Sequence, residues 1–126
     1  MFAAATFVSL AYASLVGGPM DGTSWAVKVK PDTIFSLSHR GTLIFKKGRL
    51  SADGYIASGF SPAIYSAQPV QGDLDTVWSA SLSDARNGVV SWNGFVRGDR
   101  IEGVAIWWTK DGKPKRFTFK GARKYA

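Results

Sequence analysis

The chain contains no cysteine. Disulfide staples, thiolate metal sites and thiol catalysis are excluded with it, although the compartment is not fixed by that fact. Histidine occurs once, at His39, so a histidine-rich metal centre is excluded as well. The nine acidic residues are scattered rather than clustered, which leaves no carboxylate cage for a metal ion. Neither a Gly-x-Ser-x-Gly elbow nor a glycine-rich phosphate loop is present. His39 in "SLSHRG", beside Ser36, Ser38 and Arg40, is the nearest approach to a nucleophile with a base, and a lone histidine among serines is weak evidence of one. The expectation is a protein that is not an enzyme and uses no cofactor, metal or catalytic residue.

Long helix-forming runs are lacking after residue 22, and glycine and aromatic residues take their place. Fourteen glycines, five tryptophans, eight phenylalanines and four tyrosines in 126 residues predict an all-β domain with many tight turns. The length suits one domain that builds its core without staples. The net charge of +7 is unevenly spread. Six basic residues and one acid lie between Lys28 and Arg49, and seven basic residues and one acid between Lys110 and Lys124. Between Leu50 and Ala85 there are four acids and no basic residue, so two basic ends flank an acidic middle.

The first twenty residues carry no charge and are largely apolar. Ala11-Tyr12-Ala13 before Ser14 has the small-x-small form of an export-signal cleavage site, but no Lys or Arg precedes the apolar run. Residues 1–21 read as the remnant of an export signal, which places the protein in the periplasm or outside the cell. An ordered N-terminal helix or a membrane anchor is the alternative, and the run is short and rich in small residues for a spanning helix.

From Thr23 onward the apolar pattern has period two. "SWAVKVK" sets Trp25, Val27 and Val29 on one face and Ala26, Lys28 and Lys30 on the other. "DTVWSASLS" alternates Trp78, Ala80 and Leu82 with Val77, Ser79 and Ser81. Turn signals separate the runs at Lys47-Gly48, Asp53-Gly54, Asn87-Gly88, Gly98-Asp99 and Asp111-Gly112. About eight short strands joined by tight turns make an antiparallel up-and-down meander. Residues 22–126 are expected to close it into a small barrel, which removes the exposed edges. A β-sandwich needs longer crossovers than this chain offers.

Arg97-Gly98-Asp99 resembles an adhesion tripeptide, yet turn chemistry accounts for it. With Gly98-Asp99 as a two-residue type II′ loop, Arg97 faces Arg100, Val96 faces Ile101, Gly94 faces Gly103, Trp92 faces Ala105 and Val90 faces Trp107. That register collects Val90, Trp92, Val96, Ile101, Ala105 and Trp107 on one apolar face. The facing glycines Gly94 and Gly103 imply either sharp coiling or floor space for a ligand.

"GTSWAVKV" and "VVSWNGFVRGDRIEGVAIWW" together resemble the calycin barrels, the lipocalin and avidin superfamily, whose first strand opens on a Gly-x-Trp element. Here Gly22-Thr23-Ser24-Trp25 has one residue more. The layout of residues 22–121 is also similar to small exported bacterial proteins of no assigned function. The calycin resemblance implies an eight-stranded barrel that holds a small apolar molecule.

Two candidate sites follow. Trp25, Phe45, Trp78, Trp92 and Trp107 fall on inward positions with Phe117 and Phe119, and Tyr65 lies in a less regular stretch that could border a barrel mouth. Together they would line a ligand site, or simply fill the interior. On the outer surface Lys28, Lys30, Arg116 and Lys120 would meet if the last strand pairs with the first. They would form a patch for an anionic membrane surface or another polyanion, or a solvated face that serves solubility alone.

Overall fold

The computed structural model describes residues 18–33, 36–54, 59–70 and 75–125. Residues 1–17, most of the apolar segment read above as an export signal or helix, lie outside that description.

The described chain is all β. Eight antiparallel strands follow one another around a closed barrel: β1 (Thr23–Pro31), β2 (His39–Lys46), β3 (Arg49–Asp53), β4 (Ala63–Pro69), β5 (Thr76–Asp84), β6 (Gly88–Arg97), β7 (Arg100–Trp108) and β8 (Pro114–Lys124). Each strand pairs with its sequence neighbours, and β8 closes on β1 with Ser24 opposite Lys124 and Lys28 opposite Lys120. Pairing is thinnest between β3 and β4, where Arg49 meets Ile64 and Leu50 meets Ala63.

Turn residues set the registers. Lys47 and Gly48 both have positive φ, 53° and 74°, as a two-residue type I′ hairpin requires. At the next such loop, Gly98 has φ 58° and Asp99 is not left-handed, the type II′ signature. All five cross-strand pairs expected from that loop, from Arg97 opposite Arg100 to Val90 opposite Trp107, are present. The Asp84 carboxylate accepts the N–H groups of Arg86 (3.0 Å) and Asn87 (2.9 Å), holding the three-residue link from β5 to β6. Gly54 ends β3 with φ 88°, but the strand that follows starts only at Ala63, so Asp53-Gly54 is not a tight hairpin.

The period-two pattern places the apolar set inside. Trp25, Val27, Val29, Leu43, Phe45, Leu82, Val90, Trp92, Ile101 and Ala105 are buried, and no polar or charged residue is buried with them among the described residues. Outward positions carry lysine, arginine and serine, interspersed with the exposed Ile44, Ile64, Val77, Val89, Phe95 and Trp108. The outer wall is itself two-sided. Over β4 to β6 it carries Ser66, Ser79, Ser81, Ser91 and Asn93 along with the exposed Ile64, Val77, Val89 and Phe95, whereas over β8, β1 and β2 it carries Lys120, Lys28, Lys30 and Arg40.

Glycines 94, 103 and 121 show how the wall bends. A Cβ on Gly103 would run into the backbone of Asn93 and Gly94, and one on Gly121 into the backbone of Ala26 and Val27. These positions are coiled too tightly for any side chain. At Gly94 a Cβ would likewise meet backbone, the Glu102 carbonyl oxygen at 2.7 Å, and it would also stand 3.0 Å from both the Phe119 and the Trp78 rings. Close strand coiling and ring packing both apply there, so the room its missing side chain leaves is taken up by the protein itself.

Candidate binding sites

The aromatic residues expected inside are inside, and most of them pack on one another. The Phe45 ring stands edge-on to Tyr65 at 4.8 Å between centroids and to Trp78 at 5.1 Å. Phe119 meets Trp78 at 5.8 Å and Trp92 at 5.2 Å. Such edge-to-face contacts are the preferred geometry for packed aromatic cores. Trp25 bonds its indole N–H to Thr23 Oγ1 at 2.9 Å. The indole N–H groups of Trp78 and Trp92 are buried without an acceptor. The structure thus joins Phe45, Tyr65, Trp78 and Trp92 to one another through ring contacts, directly or by way of Phe119, and buries Trp25 in the same core, with the partly buried Trp107 packed against it.

The loops joining β1 to β2, β3 to β4, β5 to β6 and β7 to β8 share one end of the barrel. At that end lies an open pocket of about 780 Å³, lined by Pro31, Phe60, Trp107, Pro114 and Phe117 with Asp32, Asn87, Lys115 and Arg116 at its polar edge. Trp107 is anchored there by its N–H, which donates to the Asn87 carbonyl at 2.7 Å, and Lys115 Nζ stands 5.5 Å from the centre of its ring. Arg116 pairs with Asp32 at 3.4 Å across exposed surface. The sequence pattern indicates Trp107 and Phe117. It does not indicate Phe60, an isolated aromatic in a Gly/Ser/Pro stretch whose burial depends on the path of a loop.

Tyr65 belongs to the opposite end. There residues 18–22 bridge the start of β1 to the β2–β3 turn and to β4. Asp21 accepts the Gly48 N–H at 3.0 Å and the Tyr65 hydroxyl at 2.8 Å, and Tyr65 Oη accepts the Met20 N–H at 3.0 Å. Met20 buries its side chain in the core, and Gly18 lies so close to the Tyr65 ring that a Cβ would collide with it. Burial raises the Asp21 carboxyl, yet the hydrogen bonds from Gly48 and Tyr65 outweigh it and hold the group below its ordinary value. Burial and the bond to Asp21 push the Tyr65 phenol well above the ordinary tyrosine range.

Of the four basic residues expected to share the seam, Lys28 and Lys120 are direct cross-strand partners. Lys30 lies two positions further along β1, opposite Thr118, and Arg116 lies near the pocketed end with Asp32. A separate groove of about 760 Å³ runs along the seam, and there Lys28 and Lys120 are joined by Arg40 and Arg100, which the sequence pattern does not single out.

Arg97-Gly98-Asp99 forms a hairpin tip whose charged ends have partners in the chain. Arg97 Nε meets Asp75 at 2.5 Å, and the Asp99 carboxylate accepts the Tyr125 hydroxyl. His39 is exposed at the start of β2. No group of three or more metal-ligating side chains occurs among the described residues. Compared with protein-family models, curated proteins and solved structures, the chain matches none.

Proposed function

We propose that this is an exported, non-enzymatic binding protein of calycin-like type. It takes a small apolar molecule at the open end of the barrel rather than deep inside it. The pocket around Phe60, Trp107 and Phe117 carries this reading. Its volume of about 780 Å³ falls in the range typical of small-molecule sites, apolar with a few polar groups. The deeper interior supports it less, since the rings of Phe45, Trp78, Trp92 and Phe119 are already in mutual contact. The calycin resemblance of the first and late strands and the closed eight-stranded meander agree with a carrier of this kind. Lys115 and Arg116 outnumber Asp32 at the pocket edge, which favours a ligand with an acidic group.

Titration with a fluorescent acyl probe bearing a carboxylate tests the reading. Binding is expected near micromolar Kd, with quenching of tryptophan emission, because the ring of Trp107 lines the site. The quenching should fall sharply in Trp107→Phe, and Phe60→Ala should weaken binding by about tenfold, the effect of losing one large apolar contact. Unchanged binding in Phe60→Ala, or quenching that survives Trp107→Phe in full, would reject the site.

A further inference from the structure

We propose that the groove along the β8–β1–β2 seam is a second binding site, and that its occupant is an acidic polysaccharide. The register builds it from two adjacent rungs of outward residues. One rung reads Arg40, Lys28, Lys120, Glu102 across β2, β1, β8 and β7. The other reads Thr42, Ala26, Ala122, Arg100 over the same strands. Between them lies the inward rung Gly41, Val27, Gly121, Ile101, where the two glycines lack side chains. Small residues therefore form the floor, and long charged residues form the walls.

The charge on those walls calls for a partner. Lys28 has Arg40 on one side and Lys120 on the other, and like charges on facing strands are unfavourable. Lys28, Arg40, Arg100 and Lys120 make no ion pair among the described residues, although Glu102 and Asp53 border the same groove. Neighbouring strands lie about 5 Å apart, so Arg40, Lys28 and Lys120 offer three cations over about 10 Å. That row matches a linear chain of anionic groups.

Three features select a glycan among polyanions. The site is a groove, which admits a chain and not a flat bilayer surface. Its lining holds no aromatic side chain among the described residues, so these offer no platform for the stacking that single-stranded nucleic acids use. Glu102, Asp53 and Thr42 add hydrogen-bonding groups that suit the hydroxyls with which a sugar chain spaces its anionic groups. The opposite wall, with its serines over β4 to β6, offers no comparable charge, so the chain would be held on one side only.

Calorimetric titration of the full chain with size-defined heparin oligosaccharides tests this. Affinity should fall as salt is added, since exposed charges are screened beyond about 8 Å at physiological ionic strength. Lys28→Glu with Lys120→Glu should weaken binding by at least about tenfold, as expected from losing charge-assisted contacts. Lys110→Glu with Lys113→Glu changes the net charge equally, away from the groove, and should alter affinity by no more than about twofold at physiological salt. Ala122→Tyr fills the floor without altering charge and should also weaken binding by about tenfold; Arg100→Ala repeats the test at the wall if that variant misfolds. Equal losses in the two double reversals would reduce the attraction to net charge. Unchanged affinity in the Ala122→Tyr or Arg100→Ala variant, whichever folds, would remove the groove as the site. Oligothymidylate, or vesicles containing phosphatidylglycerol, binding as tightly as heparin would overturn the choice of occupant.

Discussion

Tyr65 on β4 donates its hydroxyl hydrogen to Asp21 at 2.8 Å while accepting the backbone N–H of Met20 at 3.0 Å. One side chain thereby ties the segment before β1 to the far side of the β2–β3 hairpin, where Asp21 also receives the Gly48 N–H. Removing the hydroxyl leaves a carboxylate and a buried amide each short of a partner. Tyr65→Phe is expected to cost about 1–3 kcal/mol, measured by urea unfolding at neutral pH.

The same pair predicts two pH limbs. Asp21 titrates below its ordinary value, so its stabilising contribution is present above the unfolded carboxylate pKa of about 4 and is lost as the pH falls through the lower folded value. Tyr65 titrates above its ordinary value, so its contribution is present below about pH 10 and is lost as the pH rises toward the higher folded value. Unfolding midpoints of Asp21→Asn should converge on wild type below about pH 4, and those of Tyr65→Phe should converge above about pH 10. A constant gap across the whole range in either variant would contradict the assignment.

Glycine substitutions should separate two kinds of requirement. Gly121→Ala places a methyl group in the backbone of β1 and should cost on the order of 3 kcal/mol or more. Gly98 has positive φ but open space around it, so Gly98→Asn should cost less than about 1 kcal/mol. Thermal melts of the two variants side by side make the comparison, and similar losses would mean that the seam can relax.

Lys47 occupies a left-handed position beside Gly48. Asparagine tolerates that conformation better, and Asn-Gly is the favoured pair for a type I′ turn. Lys47→Asn should therefore stabilise the barrel by a few tenths to about 1 kcal/mol, visible as a shift of the urea midpoint without a change in slope.

The buried indole N–H groups of Trp78 and Trp92 have no acceptor, so phenylalanine removes no hydrogen bond there. Trp92→Phe should cost much less than Trp92→Ala, which opens a cavity worth about 3–5 kcal/mol. Equal losses would mean that the N–H group contributes through a bound water.

The strand order, the inward and outward faces and the register of β6 on β7 were legible because they rest on period-two alternation and on Gly98, both local signals. Closure brought Lys28 to Lys120 for the same reason, since a meander joins its ends. The Asp21–Tyr65 bond was not legible: the two residues are 44 positions apart, and Tyr65 lies in a strand that pairs with β3 through two residues only, so no repeat points from one to the other. The meeting of Arg40 and Arg100 was not legible either, because it depends on register across three strand pairs at once. Gly94 signalled coiling or space, and what meets it there, the Glu102 carbonyl and the rings of Trp78 and Phe119, reaches it from other strands and leaves no local trace.

The pairing of Ser24 with Lys124 has a topological consequence. A barrel whose last strand lies against its first has no intrinsic starting strand, and the two ends of the wall meet within the span of a short linker. A circular permutant joined there and opened between Gly98 and Asp99 would keep every strand pairing, and would sacrifice only the covalent link of β6 to β7. If residues 18–22 are carried within the new connection, the Asp21 tie to Gly48 and Tyr65 is kept as well.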